Sequence, residues 1–279
     1  MRGWNGIWET DFGRVRLLEK RGLVHGMYEC GAPSSIEGVV TGDALEFRYR
    51  EPKVSGTGRF ELVPGGAAFT GRWRPRGERK WSSCSGQQVD ALPGIRWLVV
   101  FEAHWQRSFA EGEYAFGHML RELFARSGGV RVRQRFFHDA TSLEQWCREL
   151  AYLAEPAVLV IASHGVAEGL SVHGKVIETR KIYASLRLAA TLKLLHFSSC
   201  LVGLGSERAP FPVSGYTTSV DWGASALLEF TYLDLILNRG FEPAKAAALL
   251  PALVRFAGNR APRGSPYPAA GFRFFPARS

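Results

Sequence analysis

Two different patterns of apolar and polar residues divide this chain of 279 residues. Through the first 88 residues the apolar positions alternate. In "ALEFRYRE", Leu45, Phe47 and Tyr49 share one side and Glu46, Arg48 and Arg50 the other, the two-residue period of a strand with one buried face. "RVRLLEK" and "GRFELVP" read as further strands, with turn signals at Gly42-Asp43 and Pro64-Gly65-Gly66. Short segments built on a glycine beside aromatic or β-branched residues recur as "NGIWE", "HGMYE", "EGVVT" and "TGRWR". No segment before residue 108 has a helical period. The pattern predicts an all-β antiparallel barrel or sandwich over residues 1–88, with about six to eight short strands. "SGQQVDALPG" then reads as a linker.

From residue 95 strands alternate with helices. "IRWLVVFEA" reads as a strand, followed by a helix with a Ser108/Glu111 capping box and the stripe Phe116, Leu120, Leu123 and Phe124. "VRVRQRFF" is a strand, and the next helix opens on a Thr141/Glu144 capping box. "AVLVIAS" is a strand, "LSVHGKVIE" a hairpin, "TRKIYASLRLAAT" a helix, and "LKLLHFSS" and "FPVSGYTTSV" are strands. A long helix follows with Ala226, Phe230, Leu233 and Leu237 on one face, then a helical stretch broken at Pro251 and a last strand in "AAGFRFFP". This alternation predicts an α/β domain over residues 95–279, with a mostly parallel sheet and helices on both faces.

Composition narrows the class. Apolar residues make up 46% of the chain, enough for two cores, and 35 basic against 26 acidic residues give a net charge of +9. The basic excess is spread out, which suits a solvated surface better than a nucleic-acid face. No apolar run approaches the roughly 20 residues of a membrane span, and "MRGWNGIWET" has no apolar leader core. Four cysteines without a CxxC pair read as free thiols of a reducing compartment. The expectation is a cytoplasmic protein without membrane partners.

Chemistry in such sheets gathers at the carboxyl ends of the strands. There "VLVIA" delivers Ser163, His164 and Gly165, "LKLLHFSS" delivers Cys200, "WLVVF" delivers Glu102, and "VSGYTTSV" delivers Asp221. A cysteine thiolate is a nucleophile, and a neighbouring imidazole can take its proton and return it to a leaving amine. Amides at Gly165 and Cys200 would hold an oxyanion, and a glycine leaves a substrate room. Other readings stand beside these. His164 and Cys200 would also suit a packed core, Asp221 would cap the helix that follows, and Glu102 would be solvated. Cys147 lies on an apolar stripe and His196 inside a strand, so both read as packed residues.

"VLVIASHG" and "LLHFSSCLVG" resemble the two strand-end motifs of the caspase-like cysteine peptidases. "SGYTTSVDWGASALLEF" is most similar to the bacterial CHAT-like members, and the resemblance covers about residues 95–240. It implies a caspase-like α/β fold, His164 as general base and acid, Cys200 as nucleophile, a protein or peptide substrate and no cofactor. "SSCLVG" departs from the Gln-Ala-Cys of caspases and argues against a strict caspase pocket. Where caspases place arginines for an acidic P1 side chain, Glu102 and Asp221 stand here, which implies an Arg or Lys at P1. CHAT-like peptidases are often effectors of bacterial defence. The likeness therefore implies activation by a signal, with a small nucleotide-type molecule as one candidate and the β domain as sensor or docking element. The alternative is a catalytically silent binding protein on the same scaffold.

Overall fold

The computed structural model describes residues 3–29, 32–104 and 115–278. They fall into two compact units, Met1–Leu92 with Ala151–Ala154, and Pro93–Leu150 with Glu155–Ser279.

The first unit is a closed antiparallel barrel of eight strands. They are β1 (Gly6–Thr10), β2 (Gly13–Lys20), β3 (Leu23–Glu29), β4 (Pro33–Thr41), β5 (Ala44–Arg50), β6 (Ser55–Leu62), β7 (Ala68–Pro75) and β8 (Ser82–Gln88). Each pairs with its neighbour in the chain, and β8 returns to β1 through Trp8↔Gln88 and Thr10↔Gly86. The start of the expected linker is therefore the strand that closes the barrel. Its pattern is faint because only Cys84 and Gly86 of "SSCSGQQ" are buried. Pairing on both edges, rather than burial, makes it a strand.

The barrel is filled by rings. Phe60 lies 4.4 Å from both Phe47 and Phe69, centroid to centroid, and Trp4 and Trp8 pack against the same cluster. Two further glycines make room for them. Gly58 stands opposite Phe47 and Gly86 opposite Phe69, and a Cβ on either glycine would run into the facing ring. A ring laid across a bare backbone position fills an interior that eight strands leave only just wide enough for side chains.

The second unit begins with β9 (Arg96–Ala103), α1 (Phe116–Phe124), β10 (Val130–Phe137), α2 (Ala140–Glu149) and β11 (Ala157–Ala162). A small antiparallel meander follows: β12 (His164–Val166), β13 (Gly169–Val172) and β14 (Lys175–Glu178). Then come α3 (Thr179–Ser185), β15 (Leu192–Ser198), β16 (Val213–Tyr216), α4 (Trp222–Leu237), α5 (Pro243–Leu253) and β17 (Phe272–Phe275). The main sheet is mixed, in the order β10-β9-β11-β15-β16-β17. Its first five strands are mutually parallel and β17 runs antiparallel to β16. Every residue of β11 is buried, which is why the strand reads as an unbroken apolar run.

Several helix details differ from the pattern reading. The box at Ser108 and Glu111 lies outside the described residues, and Leu123 is exposed. Helix α2 opens at Asp139, not Thr141. Asp139 accepts from the Ser142 N–H at 2.8 Å and Ser142 returns the bond in a reciprocal box, because an aspartate two positions earlier is the better cap. The buried face of α4 runs through Ala224, Leu228, Tyr232 and Leu233, with Ala226 and Phe230 only half-buried. Helix α5 continues through Pro251 for two more residues, since a proline in the last turn removes only one late hydrogen bond.

The ring-over-glycine packing is testable. Gly58→Ala should destabilise the barrel by about 1–3 kcal/mol through overpacking against Phe47, read as a lowered denaturant midpoint.

Candidate active site

The parallel pairing of β11 with β15 ends at Ala162↔Ser198. One residue further, the Ser163 N–H donates to Ser199 Oγ at 3.2 Å. One more step brings His164 and Cys200. Both stand two residues past the last pair of adjoining strands, whose backbones run about 4.8 Å apart. Both line a cleft of about 190 Å³ with Tyr216, Val220 and Trp222. His164 is exposed and Cys200 half-buried, so neither is the packed core residue that was the competing expectation.

The two strand exits touch. A Cβ at Gly165 would collide with the Cys200 carbonyl oxygen and come within 2.7 Å of Val202 Cγ2. The glycine at 165 therefore makes room for the Cys200 turn, where the sequence suggested room for a substrate. That turn is tight. Val202 N–H bonds the Cys200 carbonyl two residues back at 2.8 Å, and Leu201 between them is left-handed, at φ 63° and ψ −17°. A branched residue rarely adopts this conformation, and such strain clusters at functional sites.

Cys200 Sγ has partners on one side. The Val220 N–H donates to it at 3.4 Å, and the thiol donates to the Val220 carbonyl at 3.7 Å. A thiolate would keep the first bond and lose the second. The other described cysteines differ in kind. Cys147 is fully buried, as expected, and burial pushes its thiol well up. Cys84 is pushed up to about 12, mainly by burial.

The two acids expected in a substrate pocket part company. Glu102 is completely buried. Its carboxylate accepts the Phe116 and Gly117 N–H groups at 2.7 and 2.9 Å and Gln134 Nε2 at 2.9 Å. It is engaged by the unsatisfied amides at the start of α1, where a negative charge is favoured, and it is not part of the cleft lining. The solvated reading of Glu102 fails as well. Asp221 is exposed and caps α4, its Oδ1 accepting the Ala224 N–H at 3.0 Å. The cap reading holds, and the flanking Val220 and Trp222 place Asp221 at the cleft's border. The polar lining is otherwise hydroxyl-rich, with Ser163, Ser199 and Ser225.

Behind the cleft lies a buried group that the sequence reading missed. Tyr216 donates to Glu229 Oε1 at 2.8 Å, and the same oxygen lies 3.4 Å from His196 Nε2. His196 Nδ1 shares a hydrogen bond with Ser214 Oγ at 2.9 Å. All four residues are fully buried. Burial, and then the Glu229 charge, hold the Tyr216 hydroxyl far above its usual pKa, so Tyr216 remains a donor. His196 packs against a helix as expected, but through a carboxylate. The available signal was Glu229 itself, one turn after Ser225 on an otherwise apolar helix face. Among the described residues no group of three or more His, Cys, Asp or Glu gathers to hold a metal ion.

The contact between the two exits generates a prediction. Gly165→Ala should cost about 1–3 kcal/mol of stability by overpacking and should change the rate at which iodoacetamide alkylates Cys200. Unchanged stability and alkylation would mean that the exits are not held together as described. No protein-family model matches the chain, and no curated protein is significantly similar to it.

Proposed function

We propose that this protein is a cysteine endopeptidase of the caspase-like type, with Cys200 as nucleophile and His164 as general base and acid. One observation carries the reading. The adjoining parallel strands β11 and β15 bring a histidine and a cysteine to the same distance past their last paired residues, in one cleft. The five-stranded parallel part of the sheet and the order His-Gly before Cys support the same likeness.

In this reading His164 takes the Sγ proton as Cys200 attacks the peptide carbonyl carbon. The Gly165 and Cys200 amides stabilise the resulting oxyanion. Collapse breaks the C–N bond, and the proton passes from His164 to the leaving amine. Water, deprotonated by His164, then hydrolyses the thioester and restores the thiol. Release from Val220 of the thiol hydrogen is the first step. Asp221 alone now carries the inference of a basic P1 residue, since Glu102 is spent on α1. A signal-gated role in bacterial defence belongs to this reading through the CHAT-like motifs.

A second reading, a silent binding protein on the same scaffold, is favoured by the thiol's engagement with both backbone groups of Val220. A peptidyl acyloxymethyl ketone ending in Arg separates the two. The peptidase reading expects covalent labelling of the wild-type chain that is lost in Cys200→Ala, and Cys200→Ala should abolish cleavage of Arg-P1 peptides. Equal labelling of both proteins would overturn the dyad.

The P1 inference has its own test. Asp221→Asn keeps a capping side chain and should hold stability close to wild type, whereas Asp221→Ala costs about 1 kcal/mol. If Asp221 selects the P1 cation, both variants lose Arg-P1 cleavage alike. Full activity in Asp221→Asn would leave the residue as a helix cap only.

A further inference from the structure

The barrel has its own cavity, distinct from the peptidase cleft. At the end that carries the β1–β2 and β5–β6 turns, a cup of about 80 Å³ opens between Phe12, Tyr28, Phe47, Tyr49 and Trp73, with Glu51 on its wall. Its size suits one small ring. The adjoining groove of about 800 Å³ carries four guanidinium groups, Arg48, Arg50, Arg74 and Arg76, and Tyr49 lines both spaces.

The arginines are placed by strand register. Residue 48 pairs with Thr57, and Thr57 pairs with Arg74. Arg50 pairs with Ser55, whose carbonyl accepts the Arg76 N–H at 2.7 Å. Two short rows of arginine and hydroxyl residues thus run side by side on the outer face of the wall, and the second, Arg50–Ser55–Arg76, ends one residue past β7 at the rim. Glu37, opposite Arg48, and Glu78 also line the groove, so cations outnumber carboxylates there by four to two. The guanidinium of Arg74 lies 4.4 Å from the centre of the Trp81 ring, which braces it in place.

The second observation is Tyr49 itself. It is 5% exposed, yet among the described residues its buried hydroxyl has no hydrogen-bond partner. A buried tyrosine hydroxyl ordinarily finds one. Burial, with Glu51 and Glu78 nearby, raises its pKa, so it stands as a donor. Glu51 beside it accepts from Tyr28 at 2.8 Å and leaves acceptor capacity on the same wall.

We propose that this end of the barrel binds a nucleotide, with its base in the aromatic cup and its phosphate at the rim, on the guanidinium groups of Arg50 and Arg76. A purely apolar ligand would leave Tyr49 and the arginines unmatched. Inorganic phosphate would leave the cup empty. A flat ring with an acceptor for Tyr49 and an N–H for Glu51, joined to an anion, matches every feature. The site is independent of the peptidase reading, and its test measures binding alone.

Calorimetric titration of the full chain, carrying Cys200→Ala to exclude proteolysis, should use AMP, GMP, CMP, UMP and the corresponding cyclic dinucleotides. At least one should bind with a Kd below about 100 μM, and at least tenfold more tightly than its free nucleoside or inorganic phosphate. Tyr49→Phe keeps the ring and removes only the unpartnered hydroxyl. It should weaken binding up to about tenfold without lowering the melting temperature. Arg50→Ala should weaken binding by about tenfold or more. No binding by any of the eight at about 1 mM, or equal affinity in both variants and the parent, would overturn the proposal.

Discussion

The site rests on one contact, the bare backbone of Gly165 against the carbonyl of Cys200. Two parallel strands can share a sheet and still send their exits apart. Here the exits are held together three times over: by the last ladder pair, by the Ser163 amide on Ser199, and by the glycine that admits the Cys200 turn. Any side chain at 165 would push that turn away, and His164 and Cys200 would separate with it. The left-handed Leu201 is the other half of the constraint. The chain must double back within one residue to keep the Cys200 carbonyl in contact, and the apolar burial of β11 and β15 holds it there.

The acids of this unit show how burial assigns roles. Glu102 and Asp221 both neutralise helix N-termini, but Glu102 does so from inside the sheet, where two amides of α1 and the Gln134 side chain donate to it. Glu229 does something different. It reaches from α4 to Tyr216 on β16 and stands against His196 on β15. Tyr216 on β16 and Cys200 just past β15 both line the cleft. A buried carboxylate is costly unless its partners are well placed, and among the described residues Glu229 Oε2 and His196 Nε2 have no hydrogen-bond partner. The group fixes one arrangement of α4, β15 and β16 at some expense in stability, as buried polar networks can.

The parts of this molecule legible in sequence are those in which burial follows a period. Alternation in β5 and unbroken apolar runs in β9 and β11 announce a barrel and a parallel sheet, and strand ends then point to His164 and Cys200. Interactions decided by neighbours in space are not written that way. Strand β8 is nearly all small and polar, and only its two partners make it a strand. The carboxylate of Glu102 meets amides fourteen and fifteen residues on, and no local pattern records that. Gly165 avoids a carbonyl in the turn that follows another strand, and no local pattern records that contact. Arg48 and Arg74, separated by 26 residues in sequence, become neighbours only through β6.

Both candidate sites fall where hydrogen-bonded ladders stop. Inside a closed barrel every strand edge is paired, so a ligand cannot bind by adding a strand. It must use side chains at the rim, and there the aromatic interior gives way to arginines. In the mixed sheet, the backbone between Ala157 and Ala162 is likewise committed to two neighbours. Past the last pair the two chains part from the main sheet: His164 and Gly165 enter β12, paired with Ser171 and Leu170, and Cys200 enters its turn. The sheet interior supplies rigidity because its bonding is complete, and chemistry is left to the first residues beyond it. This accounts for the end of "VLVIASHG": the strand stays apolar through Ala162, its last residue in the main sheet, and turns polar at Ser163.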